Sequence, residues 1–143
     1  PQKATIWHGR AIAPLGAPRR VRRVITAANR LIHKPYRYGG GHGASISRID
    51  SGYDCSGSVS YALYGGRFLR LPLDSSSLMG WGRSGPGRWI TVYANAGHAY
   101  VVVAGLRFDT SMHDPDAPGG TGPRWSRTLR RSASFVPRHP RGY

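Results

Sequence analysis

The single cysteine of this sequence lies in a segment whose residue types favour nucleophilic chemistry. Cys55 follows the turn-forming pair Ser51-Gly52 and precedes a helix-compatible run, so we expect it at or near the first turn of a helix. The unpaired N–H groups and the positive dipole end of a helix N-terminus stabilise an anion. A thiolate is such an anion, so the pKa of Cys55 should fall and its reactivity should rise. Either Asp54 or Ser56 can cap this helix. The competing interpretation is a small buried apolar residue without a chemical role.

A thiol nucleophile needs a base within hydrogen-bonding reach, and histidine is the usual one. Of the six histidines, only His98 opens an apolar, strand-like run directly after a turn. There its ring would lie at a sheet edge, where it can meet a cysteine at a helix N-terminus. The other histidines lie in the terminal arms, at a helix end or in loops: His8, His33, His42, His113 and His139. We therefore expect His98 to serve Cys55, against the alternative of a strand-end histidine with no catalytic role.

A catalytic histidine needs a third group that fixes its tautomer, and the six acidic residues are all aspartates. Asp109 lies on the strand that is expected to fold back beside His98 after a tight turn at Gly105-Leu106. A change of one residue in the length of the turn would present a different face of this strand. The rivals to Asp109 for this position are therefore Thr110, Ser111 and His113.

The elements that must position these residues follow from the hydrophobic pattern. Apolar residues recur at helical spacing over 19–34, and Pro35 is expected to end that helix. A second helix is expected over 55–65, where Gly65-Gly66 stops it. Apolar and β-branched runs then predict strands over 89–93, 98–104 and 107–111. The order of helix, helix and a meander of strands predicts an α+β fold.

Length and composition indicate one domain with few possible cofactors. The 143 residues are enough for one core, and we expect an irregular N-terminal arm over 1–18 and a folded domain over 19–143. No apolar run approaches the roughly 20 residues that cross a bilayer. One cysteine excludes an internal disulfide and Cys-rich zinc sites, and no metal or other cofactor is expected. The acidic segment His113-Asp114-Pro115-Asp116 is interpreted as a solvated loop. Because the sequence begins at Pro1 without a signal-like segment, a mature or trimmed chain is expected.

The charge predicts an attraction to polyanions. The formal net charge is +15, and arginines concentrate over 19–23 and 124–131. Nucleic acid, anionic lipid and anionic cell-wall polymers would all be attracted. No zinc-finger, helix-turn-helix or RNA-binding aromatic motif accompanies the arginines, so no specific nucleic acid is expected. The alternative is that the arginine content partly reflects a GC-rich genome.

Four sequence blocks, taken in order over roughly residues 19–111, resemble the NlpC/P60 family of cell-wall cysteine peptidases. The blocks are Tyr36-Arg37-Tyr38-Gly39-Gly40, Tyr53-Asp54-Cys55-Ser56-Gly57, Leu71-Pro72 with the serines after it, and Gly97-His98. The resemblance implies a papain-like α+β fold in which the nucleophile helix packs on an antiparallel sheet. It implies hydrolysis of peptidoglycan stem peptides, typically between D-γ-glutamyl and a diamino acid. By motif position Cys55 is the nucleophile and His98 the base. The positions that line the substrate subsite are Tyr36, Asp54 and Ser56.

The sequence departs from the family pattern at three places. The segment Gly85-Pro86-Gly87 stands where the family usually has Pro-Gly-Asp, and Tyr38 stands where Trp is more usual. The family's third catalytic residue is commonly His, Asn or Gln about a dozen positions after the base, which falls on Thr110. Since threonine orients an imidazole poorly, we choose its neighbour Asp109.

Other functions remain open at this point. The same fold could carry an N-acetylmuramoyl-L-alanine amidase, an acyltransferase or a transglutaminase-like enzyme. A non-catalytic basic module that binds the cell wall or nucleic acid is a further alternative. For the peptidase we expect a monomer that is secreted or associated with the cell wall, with stem peptides and anionic wall polymers as its partners.

Overall fold

A computed structural model describes residues 2–111 and 122–143. In this part of the chain, short strands flank three helices and form two sheets. The elements in chain order are β1 Thr5–Trp7, β2 Arg10–Ile12, α1 Arg19–Asn29, α2 Cys55–Gly65, α3 Ser75–Leu78, β3 Arg83–Ser84, β4 Ile90–Ala94, β5 Ala99–Val103, β6 Leu106–Asp109, β7 Arg124–Ser126 and β8 Val136–His139.

The first helix buries the apolar stripe that its spacing predicts, and Val24 is fully buried. The prediction of a helix over 19–34 is wrong at its end, since α1 stops at Asn29. The next turn is tighter, because the N–H of Leu31 donates to the carbonyl of Ala28 at 2.9 Å, three residues back instead of four. Leu31 nevertheless remains buried, so the apolar pattern continues past the end of the helix.

The side chain of Asn29 holds this helix end against two other elements. Its Oδ1 accepts hydrogen bonds from the N–H of Ala11 and from Nε1 of Trp125, each at 2.9 Å. Its Nδ2 donates to the carbonyl of Ala11 at 2.9 Å. An asparagine favours helix ends because its amide competes with the main chain for hydrogen bonds, and here that amide links α1 to β2 and β7.

The N-terminal segment contains a hairpin, so the prediction of an irregular arm over 1–18 is wrong for residues 5–12. Strands β1 and β2 pair antiparallel, with Trp7 opposite Arg10. The two turn residues, His8 and Gly9, have φ of 50° and 79°, as a two-residue hairpin turn requires.

The main sheet has the strand order β3-β8-β4-β5-β6-β7, and all of its pairs are antiparallel. The three predicted strands correspond to β4, β5 and β6, with small shifts at their ends. The last basic segment contributes two strands, of which β7 forms one edge and β8 pairs with β4. No helix in the described residues is long and apolar enough to cross a membrane.

The turn between β5 and β6 differs from the prediction. It consists of Ala104-Gly105 instead of Gly105-Leu106, because Val103 pairs with Leu106. Ala104 and Gly105 have φ of 48° and 83°, and an alanine rarely adopts this left-handed conformation. The sequence therefore offered no signal for a turn that starts at Ala104.

This turn sets which residues of β6 and its extension lie near His98. The observed pairing of Val101 with Phe108, continued along the ladder, brings Ser111 opposite His98. Asp109 then lies on the same face as His98, one diagonal pair away, because side chains alternate along a strand. The predicted turn would have placed Asp109 one further pair away from His98.

The second helix has the predicted bounds and lies in the centre of the domain. It packs against α1 on one side and against β5 and β6 on the other, and Leu63 is fully buried between them. Two of its buried serines bond the main chain. Ser58 Oγ donates to the carbonyl of Cys55 at 2.8 Å, and Ser60 Oγ accepts from the N–H of Leu73 at 3.0 Å.

The glycine-rich loop at residues 39–43 lies directly on the start of α2. A Cβ on Gly57 would collide with the carbonyl oxygen of Gly40, and a Cβ on Gly41 would lie 2.9 Å from the Cα of Gly57. Because these residues lack a Cβ, the loop and the start of α2 can approach each other closely. Two other residues of this loop, Gly39 and His42, line the cavity described next.

Candidate active site

Cys55 is the first residue of α2, as the sequence predicts. Asp54 is its N-cap, and its Oδ1 accepts a hydrogen bond from the N–H of Gly57 at 2.7 Å. The remaining free N–H groups of the first turn and the helix dipole both favour negative charge at the sulfur. The thiol is half-buried and is not in a disulfide.

Three polar groups surround the sulfur of Cys55. Ser75 Oγ, at the start of α3, lies 3.6 Å from Sγ, and the side chain of His98 and the N–H of Ala99 also interact with it. Burial alone would raise the pKa of the thiol. The hydrogen bonds from His98, Ser75 and Ala99 outweigh burial, so that the pKa of Cys55 falls below its ordinary value.

On its other side, His98 meets Asp109. His98 Nε2 lies 2.8 Å from Asp109 Oδ1, and the histidine side chain is 20% exposed. Because a carboxylate only accepts, Nε2 carries the hydrogen, which leaves Nδ1 for the sulfur of Cys55. Burial opposes the charged ring, but the bonds to Asp109 and Cys55 raise the pKa of His98 to about 9. The opposite shifts at Cys55 and His98 favour a thiolate–imidazolium pair.

Asp109 is held as an anion by four donors. Its side chain is fully buried, and besides His98 its Oδ1 accepts from the N–H of Ser111 at 3.0 Å. Its Oδ2 accepts from Arg107 Nη1 at 3.2 Å and from Arg130 Nη1 at 3.0 Å. Burial alone would raise the pKa of Asp109, but the bonds from His98, the N–H of Ser111 and Arg130 lower it. This carboxylate therefore stays charged beside the imidazole.

The three other candidates for the residue that orients His98 do not make this contact among the described residues. Thr110 is buried next to Asp109, and Ser111 contributes its backbone N–H to Asp109 Oδ1. His113, and with it the segment that we interpret as a solvated loop, lies outside the described residues. Among the described side chains, Asp109 is the one that the structure brings within hydrogen-bonding distance of His98 Nε2.

A cavity of about 360 Å³ opens beside Cys55. Its lining residues come from the glycine-rich loop and the segment before it, the start of α2, the start of α3 and the turn before β5. They are Tyr36, Tyr38, Gly39, His42, Asp54, Cys55, Ser56, Asp74, Ser75, Ser76, Ala96 and Gly97. The structure thus brings the three residues of the expected substrate subsite to one cavity.

Tyr36 enters this cavity from the segment before the glycine-rich loop, where it forms a parallel bridge with Tyr53. Its side chain is partly exposed. Burial and the negative charges of Cys55 and Asp54 raise the pKa of the Tyr36 phenol. The hydroxyl therefore keeps its proton and can donate a hydrogen bond beside the thiol.

Two residues of the site were not predicted from the sequence, which places His42 in a loop and Ser75 only among the serines after Leu71-Pro72. His42 Nε2 lies 2.9 Å from Asp54 Oδ1 and 3.0 Å from Ser56 Oγ. For Ser75, the start of α3 was readable, because Asp74 precedes a serine run and caps the helix through the N–H of Ser77. No pattern in the sequence indicated that His42 folds back onto α2.

The candidate site contains no arrangement typical of a metal centre. Within residues 2–111 and 122–143, no three His, Cys, Asp or Glu side chains form a group that could hold a metal ion. The polar groups around Cys55 instead form a linear series from the thiol through the imidazole to the carboxylate. Such a series suits nucleophilic catalysis by proton transfer.

Comparisons with known proteins support the fold. No family model and no curated protein sequence matches this sequence. Among solved structures, the Resuscitation Promoting Factor interacting protein RipA, mutated at a glutamate, matches 95% of this chain and 71% of its own, with a TM-score of 0.58 and 22% identity. The hypothetical invasion protein Rv1477 of Mycobacterium tuberculosis matches 95% of this chain and 71% of its own, with a TM-score of 0.57 and 19% identity.

A third solved structure carries the fold name. RipD of Mycobacterium tuberculosis, a non-catalytic NlpC/P60 domain protein with an adaptation to peptidoglycan-binding function, matches 85% of this chain and 98% of its own, with a TM-score of 0.57 and 17% identity. The chain therefore has the NlpC/P60 fold, and the α+β class expected from the sequence is confirmed. At these identities the likeness concerns the fold, and the same fold includes a non-catalytic protein.

Proposed function

On this fold, we propose that the chain is a cysteine peptidase of peptidoglycan stem peptides, which hydrolyses the bond between D-γ-glutamyl and a diamino acid. Cys55 is the nucleophile, His98 the base and Asp109 the residue that orients His98. The observation that carries the proposal is the continuous contact from Cys55 through His98 to the buried Asp109, in which the pKa of the thiol is lowered and that of the imidazole is raised. Solved structures of RipA are of variants mutated at a cysteine, a histidine and a glutamate, and these residue types resemble the cysteine, histidine and aspartate proposed here.

The first half of the reaction forms a thioester. The thiolate of Cys55 attacks the scissile carbonyl carbon and drives its electron pair onto the oxygen. As the tetrahedral intermediate collapses, the C–N bond breaks and the imidazolium of His98 gives its proton to the leaving amine. The buried carboxylate of Asp109 stabilises the imidazolium of His98 until this proton transfer takes place.

The second half releases the product. Neutral His98 now takes a proton from a water molecule, whose oxygen attacks the thioester carbonyl. Collapse of this second intermediate breaks the C–S bond and expels the Cys55 thiolate beside the imidazolium that His98 has become, which restores the starting ion pair. The oxyanions of both steps form at the start of α2, where backbone N–H groups and the protonated hydroxyl of Tyr36 can donate to them.

A non-catalytic peptidoglycan-binding module is the second candidate, and RipD is the observation that favours it. An amidase or acyltransferase on the same fold would use the same three residues and differ in the bond attacked. The peptidase, the amidase and the acyltransferase make different products and the module makes none, so that one experiment separates the four.

Anionic cell-wall polymers are the partners that we propose for the basic surface, with a location outside the cell or at its wall. Arg23, Arg30 and Arg67 line a cavity of about 390 Å³ between α1 and the end of α2, and in the described part of the chain no acidic residue lines it. With a net charge of +15, a phosphate-rich polymer would find its counter-charges there. Binding at this face would leave the cavity beside Cys55 open to the stem peptide.

The deciding experiment compares the protein with its Cys55→Ala variant on purified peptidoglycan, with mass spectrometry of the released fragments. We expect fragments with a new free amine on the diamino acid, and at least a thousandfold slower release by the variant. The matched control is Ser45→Ala, an exposed change in the glycine-rich segment. Equal release by Cys55→Ala refutes the peptidase, whereas binding of both proteins without release supports the module.

A further inference from the structure

Among the described residues that line the cavity beside Cys55, His42 is the one basic side chain. No lysine or arginine of the described ranges contributes to this lining, so the positive charge that a ligand meets comes from His42 in the lining and from His98 beside the sulfur of Cys55. The two acidic residues of the lining are Asp54 and Asp74. The charge that a substrate meets there therefore depends on how His42 and its neighbours share their protons.

The carboxylate of Asp54, the acidic residue nearest to Cys55 along the chain, already accepts several hydrogen bonds within the protein. Its Oδ1 accepts from His42 Nε2 at 2.9 Å and from the N–H of Gly57 at 2.7 Å. Its Oδ2 accepts from the N–H of Gly39 at 3.2 Å, and the side chain is only 13% exposed. Two main-chain donors and one imidazole thus satisfy this carboxylate, which leaves it poorly placed to bind a substrate amine.

His42, in contrast, has one nitrogen available. Because the carboxylate of Asp54 only accepts, His42 Nε2 carries a hydrogen. Among the described residues, Nδ1 of His42 has no hydrogen-bond partner, and the side chain is 24% exposed on the cavity. The bond to Asp54 outweighs burial and raises the pKa of His42, so that the ring holds its second proton, on Nδ1, to a higher pH than an ordinary histidine does.

We propose that His42 is a specificity-determining residue that donates from Nδ1 to a carboxylate of the substrate, on the acyl side of the scissile bond. This inference rests on the proposed function and names the group that its subsite selects. A γ-linked acidic residue uses its side-chain carboxyl in the scissile bond. Its α-carboxylate is then free and lies a short aliphatic chain away from the carbonyl that Cys55 attacks.

The chemistry predicts discrimination between two forms of the stem peptide. An α-carboxylate forms a charge-assisted hydrogen bond with the imidazolium of His42, and such a bond is about twice as strong as a neutral one. An α-carboxamide of the same shape offers a neutral oxygen and brings no charge. The protein should therefore prefer stem peptides with a free α-carboxylate to those in which this group is amidated.

The test measures binding, in the Cys55→Ala background so that no turnover occurs. Two synthetic tripeptides, L-alanyl-γ-D-glutamyl-diaminopimelate and its α-carboxamide, are titrated by calorimetry at pH 6. We expect about tenfold tighter binding of the carboxylate form. His42→Gln keeps an amide N–H in reach of Asp54 but removes the cation, and it should bring the two affinities to within about twofold. His33→Gln, an exposed histidine change, is the matched control and should keep the preference.

The preference should also decline as pH rises and His42 loses its second proton. The charged groups that act on this ring are Asp54, Cys55 and Asp74, of which Cys55 is absent from the test background. Equal affinities of the unaltered subsite for the two peptides, or a preference that survives His42→Gln, overturn the inference, as does failure to bind either peptide. Absence of hydrolysis by the protein with Cys55 intact, with the binding preference retained, would reject the proposed reaction and leave the role of His42 standing.

Discussion

Asp109→Asn is the change that most directly tests how the imidazole of His98 is oriented and charged. Asparagine has nearly the same shape as aspartate but carries no charge, and its amide can present either a donor or an acceptor to His98 Nε2. The carboxylate that it replaces is fully buried, 2.8 Å from His98 Nε2 and in contact with Arg107 and Arg130. The substitution therefore removes the negative charge while the packing is largely kept.

The magnitude follows from the environment of His98. Its pKa rises from the ordinary 6.5 to about 9, which corresponds to about 3 kcal/mol of stabilisation of the charged ring. Asp109 supplies a large part of this, so Asp109→Asn should lower the pKa of His98 by about one to two pH units. The pKa of Cys55 should rise in response, and kcat/KM at pH 7 should fall about a hundredfold to a thousandfold.

Two assays follow these changes without a known substrate. The rate of Cys55 alkylation by iodoacetamide, measured over pH 4–10, reports the thiolate. In the unaltered protein it should rise at a pH below the ordinary thiol pKa of 9.0, and in Asp109→Asn the rise should move to higher pH. The NMR titration of the His98 ring reports the imidazole directly. Because an unbalanced buried guanidinium costs about 3 kcal/mol, each variant is first checked by thermal unfolding.

The matched controls are Thr110→Ala and Ser111→Ala, two neighbours of Asp109. Ser111→Ala keeps the backbone N–H that bonds Asp109, so it should leave both titrations unchanged. If Asp109→Asn leaves the two titrations in place while Thr110→Ala shifts them, Asp109 does not orient His98, and the reasoning from the buried carboxylate is refuted.

Three further predictions concern stability and binding. In the folded protein His98 retains a proton that the unfolded chain releases. Its contribution to the free energy of unfolding is therefore fully present below pH 6.5 and is lost as pH rises through about 9. The free energy of unfolding measured with urea should fall by up to about 3 kcal/mol over that interval, and a flat profile would contradict the ion pair. Asp54→Ala should lower the free energy of unfolding by about 1–2 kcal/mol through loss of the helix cap, whereas Asp54→Ser, which keeps a capping oxygen, should lose less than half of that. The double change Arg23→Gln and Arg67→Gln should weaken binding of a glycerol-phosphate polymer several-fold at low salt and reduce its salt dependence, and an unchanged affinity would exclude this cavity as the polymer site.

Local sequence patterns were enough to predict the elements that carry the proposed chemistry. The bounds of α2 follow from Asp54 as a cap and Gly65-Gly66 as a stop, since capping and termination depend on neighbouring residues alone. The strand after His98 follows from its β-branched run. The errors occur where tertiary contacts override local preference. Asn29 ends α1 early because its amide bonds β2 and β7.

The pairing of side chains within the candidate site depended on conformations that a sequence does not display. Asp109 comes close to His98 because Ala104 adopts a left-handed conformation and moves the turn by one residue. A sequence-based prediction places the turn on the glycine and its successor, since alanine is strained there. This one shift leaves Asp109 on the correct face and one pair nearer to His98.

The sequence by itself determined that Cys55 begins a helix, that His98 begins a strand and that the two elements belong to an α+β fold, because such features depend on residues adjacent along the chain. Only the tertiary structure decided that Asp109 contacts His98 and that His42 is hydrogen-bonded to Asp54. These contacts join residues 11 and 12 positions apart, which turns and loops bring together. A hydrogen bond between such residues requires a particular backbone path. The local sequence therefore places the sulfur of Cys55 at the start of a helix, and the fold supplies the groups that lower the pKa of this thiol.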